Sequence, residues 1–244
     1  MKPVTMKTTA NPQRRRILIT TAAIGTLAAL PARAQTPLNI GIIGSGRVGG
    51  ALGTSWARAG HTVMFSSLDI DQDRKLAASV GANARAGTTR EAAAFGEVLL
   101  VSVPYGALPQ LGKDLGALLK GKRVIDTCNP FPNRDGEIAN WARGKGAGFA
   151  SAELLPGARI VRAFNAIGFA KMGAAAQAAG PRIGMPIAGD DADAIAVTSR
   201  LVRDAGYEPV LVGGLAMGRH LMPGTPLAGE HTPEQLRKIA ATLS

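Results

Sequence analysis

The sequence predicts an α/β fold: a doubly wound, mostly parallel sheet in a single domain, closed by a short C-terminal extension. Three observations carry this. Short apolar runs alternate with stretches of helical length, the pattern of strand–helix–strand units. One run, Val98–Val103 (VLLVSV), is almost wholly apolar, as a strand covered on both faces must be. A glycine-rich loop, Gly44–Gly49, follows the first run and opens the first helix.

The elements follow in order. Leu38–Ile43 (LNIGII) reads as the first strand, and Arg47–Ala59 as a helix whose small residues face a sheet. Gly60-His61 turns the chain into a second strand, Thr62–Ser66. Asp71–Val80 is helical, and a short extended piece near Ala84 forms a third strand. The next helix is Thr88–Phe95, with Thr88 or Thr89 as its cap and Glu91 in its first turn. Val98–Val103 is followed by a helix over Gly106–Leu119, which carries Pro109 in its first turn, and by a strand over Arg123–Thr127. Asn129–Gly148 is rich in Asn, Pro and Gly and is expected to be a loop with one short helix around Ile138–Arg143. Strands at Arg159–Phe164, Met185–Ala188 and Glu208–Val212 complete the sheet, with a helix over Asp191–Ala205. Residues 223–233 form a loop and Glu234–Leu243 a last helix. The expected organisation is an address segment over 1–34, a nucleotide-binding domain over 38–213 and a helical extension over 214–244.

The formal charge of +11 invites a nucleic-acid reading, but Lys2, Lys7, Arg14, Arg15, Arg16 and Arg33 all lie in the first 34 residues, which hold no acidic residue. Taking those six from the 28 basic residues leaves 22 against 17 acidic ones. No basic run with interleaved aromatics remains, so nucleic acid is not the expected partner. The single cysteine, Cys128, excludes an internal disulfide, and His61, His220 and His231 form no ligand pattern, so no metal site is expected.

The first segment has the form of an export signal. Arg14-Arg15-Arg16 precedes a mildly apolar run, Ile17–Leu30, which ends at Ala32-Arg33-Ala34. That small-x-small pattern predicts cleavage after Ala34. The run is shorter than the roughly 20 residues needed to span a bilayer. The arginines resemble a twin-arginine signal, whose route carries folded proteins, so a periplasmic protein that loads its nucleotide before export is the expectation.

Gly44-Ser45-Gly46-Arg47-Val48-Gly49 matches G-x-G-x-x-G between a strand and a helix, with a second strand at the right distance, and so predicts a Rossmann-type nucleotide site. Gly44 permits the tight turn, Gly46 lets backbone approach a pyrophosphate, and Gly49 lets the helix lie on the sheet. The N–H groups near Arg47 and Val48 face the phosphates. Where NAD-selective proteins place a carboxylate at the second strand's end, this chain has Ser66-Ser67, which tolerates a 2′-phosphate, and Arg47 offers a charge from the neighbouring loop. NADP(H) is therefore expected, with NAD(H) the alternative. Asp69 stands against that preference unless it caps the next helix.

GIIGSGRVGGALGTSWARAGHTVMFSS, VLLVSVPYGALP, RVIDTCNPF, RIVRAFNAIG and IAGDDADAIAVTSRLVRDAGYEPVLVG resemble, in order, segments of the coenzyme F-420-dependent NADP oxidoreductase family, from about Ile40 to Gly213. The nucleotide domain of the membrane metalloreductases is similar too. The resemblance implies an oxidoreductase that passes hydride between the nicotinamide and a deazaflavin or flavin acceptor, without a dedicated catalytic acid or base. It implies that Gly44, Ser45, Gly46, Arg47 and Val48 hold the pyrophosphate and that Ser66 and Ser67 hold the adenosine end. Val103 and Pro104 would flank the nicotinamide, and Asn165 and Ala166 would line the acceptor pocket. Leu68 occupies a position where the family usually has Arg. A homodimer is compatible with this reading.

Two other functions fit parts of the pattern. One is an exported dinucleotide-binding protein without turnover. The other, less favoured, is a pyrroline-carboxylate reductase-like dehydrogenase, which would need a longer helical domain than the stretch after Gly213 provides. Local packing roles also stand beside the functional ones. Cys128 reads as a buried apolar residue, Asp190 and Asp191 as helix caps, Trp56 and Trp141 as packing residues and His220 as a surface histidine. Asn165 either faces the pocket or fixes its own loop.

Overall fold

The computed structural model describes residues 1–5, 36–173, 175 and 180–243. The expected export signal and its cleavage point lie outside the described residues. The chain divides into two units, Met1–Gln35 and Thr36–Ser244, and everything below concerns the second.

Eight strands make one sheet: β1 (Asn39–Ile43), β2 (Thr62–Ser66), β3 (Ala84–Ala86), β4 (Val98–Val101), β5 (Arg123–Asp126), β6 (Arg159–Arg162), β7 (Gly184–Gly189) and β8 (Glu208–Gly213). Their spatial order is β3-β2-β1-β4-β5-β6-β7-β8. The helices between them are α1 (Arg47–Arg58), α2 (Ile70–Val80), α3 (Thr89–Phe95), α4 (Leu108–Leu119), α5 (Pro132–Asp135), α6 (Glu137–Lys145), α7 (Ala147–Leu154), α8 (Phe169–Met172), α9 (Ala192–Asp204) and α10 (Pro233–Ala240).

The sheet order reverses between β1 and β4, and the crevice outside the carboxyl ends of those strands is where such folds bind ligands. Both faces are covered. Leu52, Trp56 and Leu201 pack with Ile40, Ile42 and Phe65 on one side, and Leu108, Leu115 and Leu155 pack with Leu99, Val101 and Val124 on the other. Trp56 also donates its indole N–H to the Leu201 carbonyl at 2.7 Å, which ties α1 to α9.

Every neighbouring pair is parallel except β6 and β7. The chain leaves β6 at the carboxyl edge and builds α8 there. It then enters β7 from the same edge, so the direction inverts; a parallel return needs a crossover to the far edge. The region Asn129–Gly148, expected as a loop with one short helix around Ile138–Arg143, holds that helix as α6 and adds α5 and the start of α7. Gly136 and Gly146 adopt φ of 62° and 94° between successive helices, a left-handed conformation that ends one helix and starts the next without a long linker. Strands β4, β5 and β6 end sooner than their apolar runs, so Val103, Thr127 and Phe164 lie on the loops beyond. Residues 214–244 belong to the same compact unit as the sheet. Leu221, Leu227 and Leu236 pack on Ala188 and Val210 in a third core. Among the described residues no helix is long and apolar enough to cross a membrane.

Candidate functional site

Backbone bonds hold the glycine loop against the neighbouring strand ends. Gly44 and Ser45 donate their N–H groups to the Ser66 carbonyl at 2.9 and 3.1 Å, and Ser102 donates to Ile43 at 2.8 Å. Each glycine is required for a different reason. Gly44 has φ 96°, and a Cβ there would run into the Ser102 carbonyl. A Cβ on Gly49 would run into the Gly44 carbonyl, so α1 can lie on the strand only without one. At Gly46 a Cβ would meet no protein atom at all. The space it leaves belongs to the cleft, and that is the position where a pyrophosphate approaches backbone. Gly46 caps α1 without a side-chain bond, and no acidic residue stands in the first turn. The N–H groups at Arg47 and Val48 are therefore open to an anion.

The end of β2 is built differently from expectation. Ser66 is fully buried and spends its hydroxyl on the Ile42 carbonyl at 2.7 Å, so only its neighbour approaches the surface. Ser67 is half-buried and donates to Asp73 at 2.9 Å. Ser45, also buried, donates to the other oxygen of the same carboxylate. Asp73 is completely buried on α2. It ties the glycine loop to the end of β2, and nothing in its sequence setting distinguishes it from Asp71 beside it. Asp69 caps α2, accepting from the N–H groups of Asp71 and Gln72 at 3.1 and 3.0 Å.

A cleft of about 710 Å³ opens at the carboxyl edge of the sheet. It brings together Gly46, Arg47 and Val48 from the loop, Val103 and Pro104 after β4, and Asn165 and Ala166 after β6. Gly44, Ser45, Gly49, Ser66 and Ser67 do not line it. Two aromatic–guanidinium pairs flank it: Arg47 lies over the Phe169 ring at 4.9 Å and Arg134 over Phe131 at 5.0 Å. Arg47 is thus turned toward α8. The C-terminal stretch contributes Pro223, Gly224, Ala228 and Gly229 to the cleft, and Gly229 donates to the Ala166 carbonyl at 2.9 Å. Sequence reasoning missed this wall, because no local signal in a Pro/Gly loop says what it packs against.

Under the cleft floor lies a fully buried ion pair, Arg162 with Asp126 at 2.5 Å. Arg162 also donates to the Cys128 carbonyl at 3.1 Å and to the side-chain oxygen of Asn129 at 3.2 Å, and Asp126 accepts from the Cys128 N–H at 2.7 Å. The loop after β5 is thereby pinned to β6. Asn129 in turn donates to the Asn165 carbonyl. Phe164, just before it, has φ 64°, the only described non-glycine residue with positive φ. Edge-on packing against Trp56 and Tyr207, at 6.2 and 6.1 Å, holds it there. Such a conformation costs about 1–3 kcal/mol and persists where the surroundings over-determine it. Here it sits immediately before Asn165, at the cleft. The Asn165 side chain is 3% exposed, and neither its amide nitrogen nor its oxygen has a protein partner. Buried amides are nearly always satisfied, which sets Asn165 apart from the other residues that line the cleft.

Burial, reinforced by Asp126, pushes the Cys128 thiol well up, so it stays protonated. Burial raises Asp135, but bonds from Arg134 and from the Phe131 and Gly106 N–H groups outweigh it and hold this carboxyl below its usual range. Burial also pushes the Tyr207 phenol up to about 12. Burial, with Arg219 beside it, lowers His220. Among the described residues no group of three or more His, Cys, Asp or Glu side chains stands where it could hold a metal ion.

A glycine loop at the sheet's switch point, opening into a cleft at the carboxyl ends of the strands, defines the class: a Rossmann-type fold with the layout of a dinucleotide site. Residues 39–130 match the model of the family described as NADP oxidoreductase, coenzyme F420-dependent. Among curated proteins it is similar to Metalloreductase STEAP3 of Rattus norvegicus, 30% identical over 203 residues. That match takes in 81% of this chain, which spans 38% of that relative's length. Among solved structures it resembles a hypothetical protein of Sinorhizobium meliloti, with TM-score 0.70 and 24% identity over 80% of this chain and 95% of that one. It also resembles a protein of Arthrobacter sp. FB24 provisionally described as an F420-dependent NADP-reductase. There the TM-score is 0.64 and the identity 21%, over 75% and 87% of the two chains. At these identities the solved structures speak for the fold.

Proposed function

We propose that the cleft binds a reduced nicotinamide dinucleotide beside a flavin- or deazaflavin-type acceptor, and that the protein transfers hydride between them. The observation that supports this most is that two open positions, Gly46 and Asn165, line one cleft. Gly46 leaves backbone room for a pyrophosphate, and Asn165 offers a buried amide with no internal partner. The dinucleotide, when bound, supplies the hydride. Arg47 and Val48 bind its phosphates through their N–H groups, and Val103 and Pro104 back the nicotinamide. Asn165, with one donor and one acceptor group, pairs with the polar edge of a carboxamide or of the acceptor ring. Phe131 and Phe169 keep water from the rings. Hydride transfer asks for stacked rings and a dry cleft more than for a proton relay. The similarity to a metalloreductase and to the F420-dependent family favours a redox acceptor over a carbonyl substrate.

The test is oxidation of NADH or NADPH by the protein with a flavin or deazaflavin supplied. Acceptor-dependent turnover supports the reading. Saturable binding with no turnover toward either ring system would favour a dinucleotide carrier instead. We further propose that the protein is exported folded by the twin-arginine route and works in the periplasm as a homodimer. N-terminal sequencing of the mature protein and light scattering test those two points.

A further inference from the structure

In Rossmann-type sites the end of the second strand decides which dinucleotide is taken. A hydroxyl has one proton to give, and here the protons at that end are already spent inside the protein. Ser66 gives its proton to the Ile42 carbonyl. Ser45 and Ser67 give theirs to the two oxygens of the buried Asp73 carboxylate. The Ser67 hydroxyl has one other internal acceptor, the Asp69 carbonyl at 3.3 Å, and it accepts from the Asp69 N–H at 3.1 Å. Whichever internal acceptor takes the proton, Ser67 presents outward only a lone pair.

A lone pair suits a ribose 2′-hydroxyl, which can donate to it. It does not suit a 2′-phosphate, whose oxygens only accept. The charges nearby point the same way. The Asp73 carboxylate lies one hydroxyl behind this position, and Asp69 and Asp71 stand at the start of α2. Arg74 is paired with Asp71 at 2.9 Å, and Lys75 lies on the exposed face of the helix, away from buried Asp73. Leu68, wholly exposed, brings no charge, and Arg47 is engaged with Phe169 on the cleft side. The 2′-phosphate that the family's description implies therefore finds no free side-chain hydroxyl proton at the end of β2.

We infer that Asp73, acting through Ser67, sets the dinucleotide preference of this protein toward NAD(H). This rests on the dinucleotide reading above and names the substrate class of that same site. Asp73 is a positioning residue: it orients a hydroxyl and places a charge, without touching the ligand.

The experiment is a titration of the full protein with NADH and with NADPH, followed by nicotinamide fluorescence, for wild type, Asp73→Asn and Ser67→Ala. Wild type is expected to bind NADH about tenfold more tightly. In Asp73→Asn the amide nitrogen donates to one serine and frees its proton, and the charge is gone. The NADH-to-NADPH ratio should then fall about tenfold. Ser67→Ala, at a half-buried position, keeps the test decisive should Asp73→Asn fail to fold. It is expected to weaken NADH about fivefold and leave NADPH unchanged. A wild-type preference for NADPH would overturn the inference while leaving the dinucleotide reading intact. So would an Asp73→Asn protein that loses both ligands in equal measure, or a Ser67→Ala protein that weakens NADPH the more. Binding of neither nucleotide would overturn the dinucleotide reading itself, and this inference with it.

Discussion

Asn129 donates its side-chain N–H to the Asn165 backbone carbonyl at 2.8 Å, joining the loops that follow β5 and β6 across the cleft floor. The bond uses the Asn165 main chain and leaves its side chain unpartnered. An unsatisfied buried amide costs about 1–3 kcal/mol, and deleting it opens a small void of opposing cost. Asn165→Ala is therefore expected to change the stability of the free protein by less than about 1 kcal/mol while lowering hydride transfer at least about tenfold. Chemical denaturation and steady-state turnover read the two effects. A large loss of stability with unchanged turnover would assign Asn165 to its loop.

Two glycines of one loop should behave oppositely. Gly46→Ala adds a methyl that meets no protein atom, so thermal stability should hold while dinucleotide affinity falls by about tenfold or more. Gly49→Ala drives its methyl into the Gly44 carbonyl and should destabilise the fold by about 1–3 kcal/mol. Paired melting curves and binding titrations separate them. Equal loss of stability in both would contradict the open face of Gly46.

Arg162 and Asp126 are fully buried against each other. Arg162→Met leaves a buried carboxylate without its cation and should cost about 3–5 kcal/mol. Arg162→Met combined with Asp126→Leu should cost less than the single change, because no uncompensated charge remains. A double-mutant cycle in denaturant measures this. Additive losses would mean that the pair contributes nothing beyond its packing.

The Cys128 thiol is raised by burial, so folding favours its protonated form. Stability should fall as pH rises above the unfolded thiol value of about 8.5, and Cys128→Ala should flatten that slope. Alkylation of the folded protein near pH 8 should be slower than that of the unfolded chain by about tenfold or more. Equal rates would show the thiol to be exposed.

The order and kind of most elements were legible in the sequence, since apolar runs and caps are local signals. Thr88, one of the two expected caps, caps α3 and forms a capping box with Glu91, and Asp69 and Asp191 cap α2 and α9. After Asn129 the short helix around Ile138–Arg143 was legible and stands as α6, whereas α5 and α7 were not legible. Helices as short as α5 give no periodicity, and Gly136 and Gly146 read as loop residues when they are joints between helices. Nor was the direction of β7. A strand's sequence pattern is the same whichever way it runs, and direction follows from the edge at which the preceding loop ends.

By itself the sequence determined the α/β alternation, the glycine loop and its place at the end of the first strand. Each is written in residues that are neighbours along the chain. Only the tertiary structure decided which side chains face the cleft. It turned Ser66 inward, buried Asp73 between two serines, sent Arg47 to Phe169 and left the Asn165 amide without a partner. Those outcomes depend on contacts between residues distant in sequence, such as Ser45 and Asp73. Whether a polar group is satisfied is settled only when the distant group arrives.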